Sequence, residues 1–234
     1  MRRALVVAVV SLAPFAGAGD ASAARECDGL DVCISVPGPW VAVPAAPARG
    51  TRTVYYQLTC PRGSIVGGVD AVRRDRTLDV RFLGAMGSPI NPGITTSRRV
   101  LFVATYARTR RTSFRPFAGC IPTSGGGGRG TTFFAAVAPP RAQPPVRRVR
   151  TVRVRPGGRR VAVACRRGER IVGSSHAVGF RSRRPPSARL MAGVGAAHRR
   201  LNGRVEVRAR RGAAVPTSAR VVVQVHALCA RGAA

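Results

Sequence analysis

The chain contains no lysine; all 40 of its basic residues are arginine. That absence excludes the lysine-bearing phosphate loop of nucleotide-binding proteins, in which the lysine reaches the terminal phosphates. Acids are scarce as well, at 9 in 234 residues. There are 3 histidines, His176, His198 and His226, all in the C-terminal half, where Glu169 and Glu206 are the only acids. A hydrolytic triad needs a nucleophile, a histidine and an acid in one place, and the sequence offers few ways to assemble one. No paired C-x2-C or H-x3-H spacing of a zinc site occurs. Asp70, Asp75 and Asp79 are close in sequence, but Arg73, Arg74 and Arg76 stand among them and oppose a calcium ion. The sequence therefore predicts no catalytic residue, no cofactor and no metal ligand.

Aromatic residues make up 5% of the chain, and residues 141–234 have a single one, Phe180. Proteins that bind single-stranded nucleic acid stack bases on aromatic platforms. A chain whose most basic half lacks them is not a specific nucleic-acid binder. Trp40, Tyr55 and Tyr56 lie in the less basic half and read as core or as a small ligand face. Long apolar runs are missing too. The longest, residues 4–13, follows Arg2 and Arg3, is broken by Pro14 and leads to "ASA" at 21–23. That is the layout of a secretory signal peptide cut after Ala23, and no other run is long enough for a transmembrane anchor.

What the chain has in excess is positive charge, formally +31. Residues 24–140 carry 15 arginines against 6 acids; residues 141–234 carry 23 against 2. The arginine-for-lysine exchange matches the coding bias of a GC-rich genome, but that bias does not deplete acids. Such a field attracts polyanions over about 8–10 Å at physiological salt. Outside a cell the expected partners are anionic envelope polymers or lipid headgroups. The contact residues expected are Arg147, Arg148, Arg150, Arg153, Arg155, Arg159 and Arg160, which flank a turn between two strands. A carbohydrate- or small-ligand-binding module using Trp40 is the alternative reading, and a secreted enzyme of unrecognised type the second.

An internal repeat organises the rest. "VYYQLTCPRGSIVGGVDAV" (54–72) and "RRVAVACRRGERIVGSSHAV" (159–178) share an alternating strand, a cysteine, x-R-G, Ile-Val-Gly and a closing Ala-Val. The second copy has one extra residue before the isoleucine, and His176 falls where the first has Asp70. Each copy ends alike, in "SFRPFAGCIP" (113–122) and "VVVQVHALCA" (221–230). The repeat selects the disulfides Cys60–Cys120 and Cys165–Cys229, leaving Cys27 with Cys33. In the strand that ends at Cys229, His226 lies opposite the cysteine face and is expected at the surface. Closing loops of about 60 residues stabilises by roughly 4 kcal/mol each in the chain-entropy model. Small cores poor in aromatics need such staples.

Period-two patterns dominate: "VRTVRVR" (149–155), "RVAVA" (160–164), "RVEVRA" (204–209), "RVVVQVHAL" (220–228), "TLDVRFLG" (77–84), "RVLFVATYA" (99–107) and "TTFFAAVA" (131–138). "PGG" at 156–158 reads as a hairpin turn. The predicted fold is all-β: two tandem β-sandwich or Greek-key units, each stapled by one disulfide. The expected divisions are a signal peptide (1–23), an N-terminal segment with the first unit (24–137), a proline-rich linker (138–145) and an arginine-rich second unit (146–234). The glycine run "TSGGGGRGTT" (123–132) reads as a flexible loop.

"TCPRGSIVGG…GCIP", with "CDGLDVC", "GPWVAVP" and "SPINPGITTSRR", resembles a group of secreted actinobacterial proteins built from cysteine-bounded "CPxGxxVxGG…C" β-repeats. The resemblance covers most of the first unit and weakly the second, which departs from it at Ser174 and Ser175. It implies an exported β-protein and no particular reaction.

Overall fold

A computed structural model of the chain describes residues 25–30, 32–83, 98–123 and 145–231. The expected signal peptide, the segment 131–138, the glycine run after Thr123 and the spacer before Pro145 lie outside the described residues.

Alternating apolar and polar side chains make almost every element a strand. The N-terminal half supplies β1 (Ile34–Pro37), β2 (Trp40–Val43), β3 (Arg52–Thr59), β4 (Ser64–Arg73), β5 (Asp79–Leu83), β6 (Arg99–Tyr106) and β7 (Thr112–Pro122). The C-terminal half supplies β8 (Val146–Val154), β9 (Arg159–Ala164), β10 (Glu169–Phe180), β11 (Val194–Leu201), β12 (Arg204–Arg211) and β13 (Val221–Arg231). Among the described residues the fold is all-β but for one short helix, α1 (Ala188–Ala192), capped by the Ser187 hydroxyl, which accepts from the Leu190 amide at 3.1 Å.

Seven strands form one antiparallel sheet, ordered β4, β7, β1 and β2 together, β10, β13, β8. The other strands form two three-stranded sheets, β3-β6-β5 and β9-β12-β11. One core lies between β3-β6-β5 and the β4/β7/β2 part of the large sheet, around Val54, Leu58, Phe102, Phe114 and Tyr106. The other lies between β9-β12-β11 and the β10/β13/β8 part, around Val154, Val161, Val205, Val207, Val223 and Val225. Arginines alternate outward from both.

The expected hairpin at 156–158 does not form. β8 pairs only with β13 and β9 only with β12, so the Pro-Gly-Gly turn carries the chain from one sheet to the other. The reason lies in the inward residues: Val154 and the Val161–Val163 pair face each other across one core instead of lying side by side in one sheet. The turn needs glycine, since Gly157 and Gly158 have φ of +80° and +100°.

All three expected disulfides are present: Cys27–Cys33, Cys60–Cys120 and Cys165–Cys229, with Cα separations of 5.6, 5.7 and 5.7 Å. The two long-range bridges each fasten the end of a small-sheet strand, β3 or β9, to the large sheet, at β7 or β13. Such bridges form in oxidising compartments.

The two halves are joined in space. β2 pairs β7 through Val41–Val43 and β10 through Trp40 and Val41. Trp40, from the N-terminal half, is buried in the C-terminal core, and Ala177 of β10 is buried in the N-terminal core. Gln224 on β13 accepts from the Gln57 amide at 2.6 Å and donates to the Gln57 carbonyl at 3.0 Å.

Candidate functional site

The glycine-rich motif at 60–72 is filled by the protein itself. A side chain on Gly68 would put its Cβ 2.0 Å from the Glu26 carbonyl oxygen, and one on Gly119, its partner across the ladder, would do the same. The small Cys27–Cys33 loop thus lies on a patch of bare backbone, and Glu26 is buried there, its carboxylate accepting from the Ser35 hydroxyl. In the C-terminal half the corresponding pair is Gly173 and Leu228, and the leucine side chain takes up the space above the glycine. No room for a phosphate remains over Gly68.

Register in both halves counts from the cysteine, not from the Ile-Val-Gly motif. Val66 pairs with Cys120 and Ile171 with Cys229, each six residues after the opening cysteine, and a bulge follows in both strands. The bulge falls at the same distance from the cysteine in both, so the Ile-Val-Gly motif of the second strand sits one residue out of step with that of the first. Asp70 therefore corresponds to Ser175, and His176 to Ala71, which corrects the alignment drawn on sequence alone.

The histidines do not assemble a hydrolytic site. His226, expected at the surface, is fully buried. The face of β13 opposite the cysteine is covered by β3, as the Gln57–Gln224 clasp on that same face shows. Burial pushes the His226 ring down to about 3, and the charges of Arg147 and His176 act in the same direction. His176 and His198 bring their Nδ1 atoms to 2.9 Å of each other, and burial, then His198, lowers the His176 ring below its ordinary value. They line a cleft of about 470 Å³ with Ser174, Ser175, Arg52 and Arg111, and neither glutamate of the C-terminal half lines it.

Both of those glutamates are engaged by arginine. Glu169 accepts from Arg148 at 2.7 Å and from the Arg166 amide at 2.8 Å, which holds its carboxyl below the usual range. Burial alone would raise the Glu206 carboxyl; Arg160, Arg199 and Arg208, at 3.6, 3.2 and 3.5 Å, override it and lower it. Glu169 lies near Cys165 and Cys229, but those sulfurs are bonded to each other and are not free to ligate. The three aspartates do not converge. Asp75 is held by the Tyr106 hydroxyl at 2.7 Å, by Thr77 and by Arg110, Asp79 pairs with Arg81, and Asp70 accepts from the Arg25 amide.

The seven arginines singled out in sequence divide into separate environments. Arg148 and Arg160 face Glu169 and Glu206. Arg150 is exposed and donates to the Ala162 carbonyl at 3.5 Å. Arg147 lies over the Tyr55 ring, 5.2 Å from its centroid, and burial lowers its guanidinium below the ordinary value. Only Arg153, Arg155 and Arg159 come together. They line a cleft of about 390 Å³ beside the Pro-Gly-Gly turn. A fourth arginine joins them from β12: Arg211, anchored by hydrogen bonds to the carbonyls of Val154 (3.4 Å) and Pro216. Among the described residues, no acid lines that cleft. Arg211 was missed because only the β9–β12 pairing brings it to the turn.

Trp40 is 5% exposed and its indole N–H donates to the Arg183 carbonyl at 3.5 Å. It therefore presents no ring face on which a sugar could stack. Tyr56 is also buried, which pushes its hydroxyl up to about 12 against the opposing charge of Arg181. It lines a further cleft, of about 580 Å³, where the halves meet. No helix among the described residues is long and apolar enough to cross a membrane. No protein-family model, curated protein or solved structure matches the chain.

Proposed function

We propose that the chain is an exported, non-catalytic protein that associates electrostatically with anionic cell-envelope polymers or lipid headgroups. The observation that carries this reading is the acid-free cleft of Arg153, Arg155, Arg159 and Arg211 on a chain of net charge +31. Elsewhere in that half, the two carboxylates are already enclosed by arginines. An incoming polyanion therefore meets cations without local competition. Arginine suits the task because its planar fork grips phosphate or carboxylate through two hydrogen bonds at once. The leader-like N-terminus, three disulfides and the resemblance to secreted β-repeat proteins support export. The matching strand orders and disulfide registers of the two halves support descent from one duplicated unit.

The experiment is cosedimentation with phosphatidylglycerol vesicles and with polyphosphate across a salt series. Binding is expected at low salt and is expected to fall steeply as salt rises, because bound arginines release counterions. The combined Arg153→Gln, Arg155→Gln and Arg159→Gln variant is expected to bind at least about tenfold more weakly at low salt. No binding by the unaltered protein at low salt, or binding indifferent to salt, would end the proposal.

A further inference from the structure

The cleft where the two halves meet differs from the exposed arginine patch in one respect: one of its cations, Arg147, is partly withdrawn from water. Its floor is rigid. The Gln224 side-chain amide is fully engaged, accepting from the Gln57 amide and donating to the Gln57 carbonyl and to the Thr151 hydroxyl at 2.9 Å. Arg147, half-buried over Tyr55, forms one wall, and Arg181 lines the same space. Among the described residues, neither pairs with a carboxylate. The nearest acid in sequence, Glu169, is engaged by Arg148.

A cation moved out of water without a partner is destabilising, and an anion brought beside it offsets that cost. Tyr56 also lines the cleft, and its hydroxyl makes no hydrogen bond with a described residue. Its burial keeps it protonated, and hence a donor, at any physiological pH. Leu58, Val149 and Pro39 supply apolar wall. At about 580 Å³ the space is far larger than a single inorganic anion and lies within the range of small-molecule sites.

We propose that this cleft binds a small organic anion: its carboxylate or phosphate group is taken by Arg147, Arg181 and the Tyr56 hydroxyl, and its organic body lies against the apolar wall. This site is separate from the polyanion surface and does not rest on it. The two share no residue, and a ligand here would be a single small molecule held by the half-buried Arg147 and the buried Tyr56 together with the exposed Arg181.

Titration calorimetry with phenyl phosphate, benzoate and inorganic phosphate tests it. Saturable binding of phenyl phosphate or benzoate is expected, tighter than that of inorganic phosphate. Arg181→Gln, at an exposed position, and Tyr56→Phe, which keeps the ring in the core, are each expected to weaken it about tenfold. The Arg153→Gln, Arg155→Gln, Arg159→Gln variant is expected to bind both organic probes as the unaltered protein does. Absence of saturable binding, affinity unchanged in both single variants, or equal loss in the triple variant would overturn the proposal. Absence of vesicle and polyphosphate binding by the unaltered protein, with its phenyl phosphate binding intact, would defeat the polyanion reading alone.

Discussion

His226 shows how far a residue's environment can depart from its place in a sequence pattern. The ring is enclosed, and its affinity for a proton is lowered to about 3 by burial, with Arg147 and His176 adding to the effect. The unfolded chain takes up that proton near 6.5. Stability is therefore full above about pH 6.5 and is lost progressively as pH falls toward 3, at about 1.4 kcal/mol per unit for one such group. His176, lowered chiefly by burial, has the same sign. Urea unfolding at pH 7.0 and 4.5 is the measurement. His226→Leu is expected to remove about 2–3 kcal/mol of the difference between the two pH values. An unchanged difference would mean that the imidazole is reached by water.

Among the elements, the junction of β4 and β7 with the N-terminal disulfide loop is the most constrained. Gly68 and Gly119 leave a flat area of sheet on which the Glu26 backbone rests. A methyl group at either position meets a carbonyl oxygen, which no rotamer change can relieve. Gly68→Ala or Gly119→Ala is therefore expected to lift the 25–33 segment while Cys60–Cys120 and the core around Phe102 persist. Amide exchange would be expected to rise sharply over residues 25–35 and little in β6. Gly173→Ala is the control. Its added carbon meets the Leu228 Cβ at 3.2 Å, a contact relieved by a shift of a few tenths of an ångström, whereas at Gly68 and Gly119 the distance is 2.0 Å. Equal exchange over 25–35 in all these variants would show that the loop does not depend on the bare backbone.

At the scale of the whole molecule, β2 determines whether the halves behave as one body. It bonds to β7 on one side and β10 on the other, and it carries Trp40 into the C-terminal core. The Gln57–Gln224 clasp adds a second tie. Thermal unfolding is therefore expected to be a single transition. Trp40 fluorescence and far-ultraviolet dichroism should coincide, and the calorimetric and van't Hoff enthalpies should agree. Two resolved transitions would show that the halves are coupled only weakly.

The sequence by itself determined the local features. Period-two alternation marked β3, β5, β6, β8, β9, β12 and β13 to within a few residues, because a strand half-buried in a sheet must alternate, but it did not mark β1 or β11. The echo between 54–72 and 159–178 selected the two long disulfides, because equivalent cysteines occupy equivalent ladder positions. Charge and the even cysteine count were plain from composition. What the tertiary structure decided was which face of each strand the other half covers. Alternation separates two faces of a strand but does not say that both are packed. That is why His226 is buried, why Trp40 belongs to the core of the half it does not come from, and why β8 and β9 face each other across a core instead of pairing. The same packing sorted the arginines. Their side chains are alike in sequence, yet two meet glutamate, one covers a tyrosine, and three meet Arg211, a partner distant along the chain.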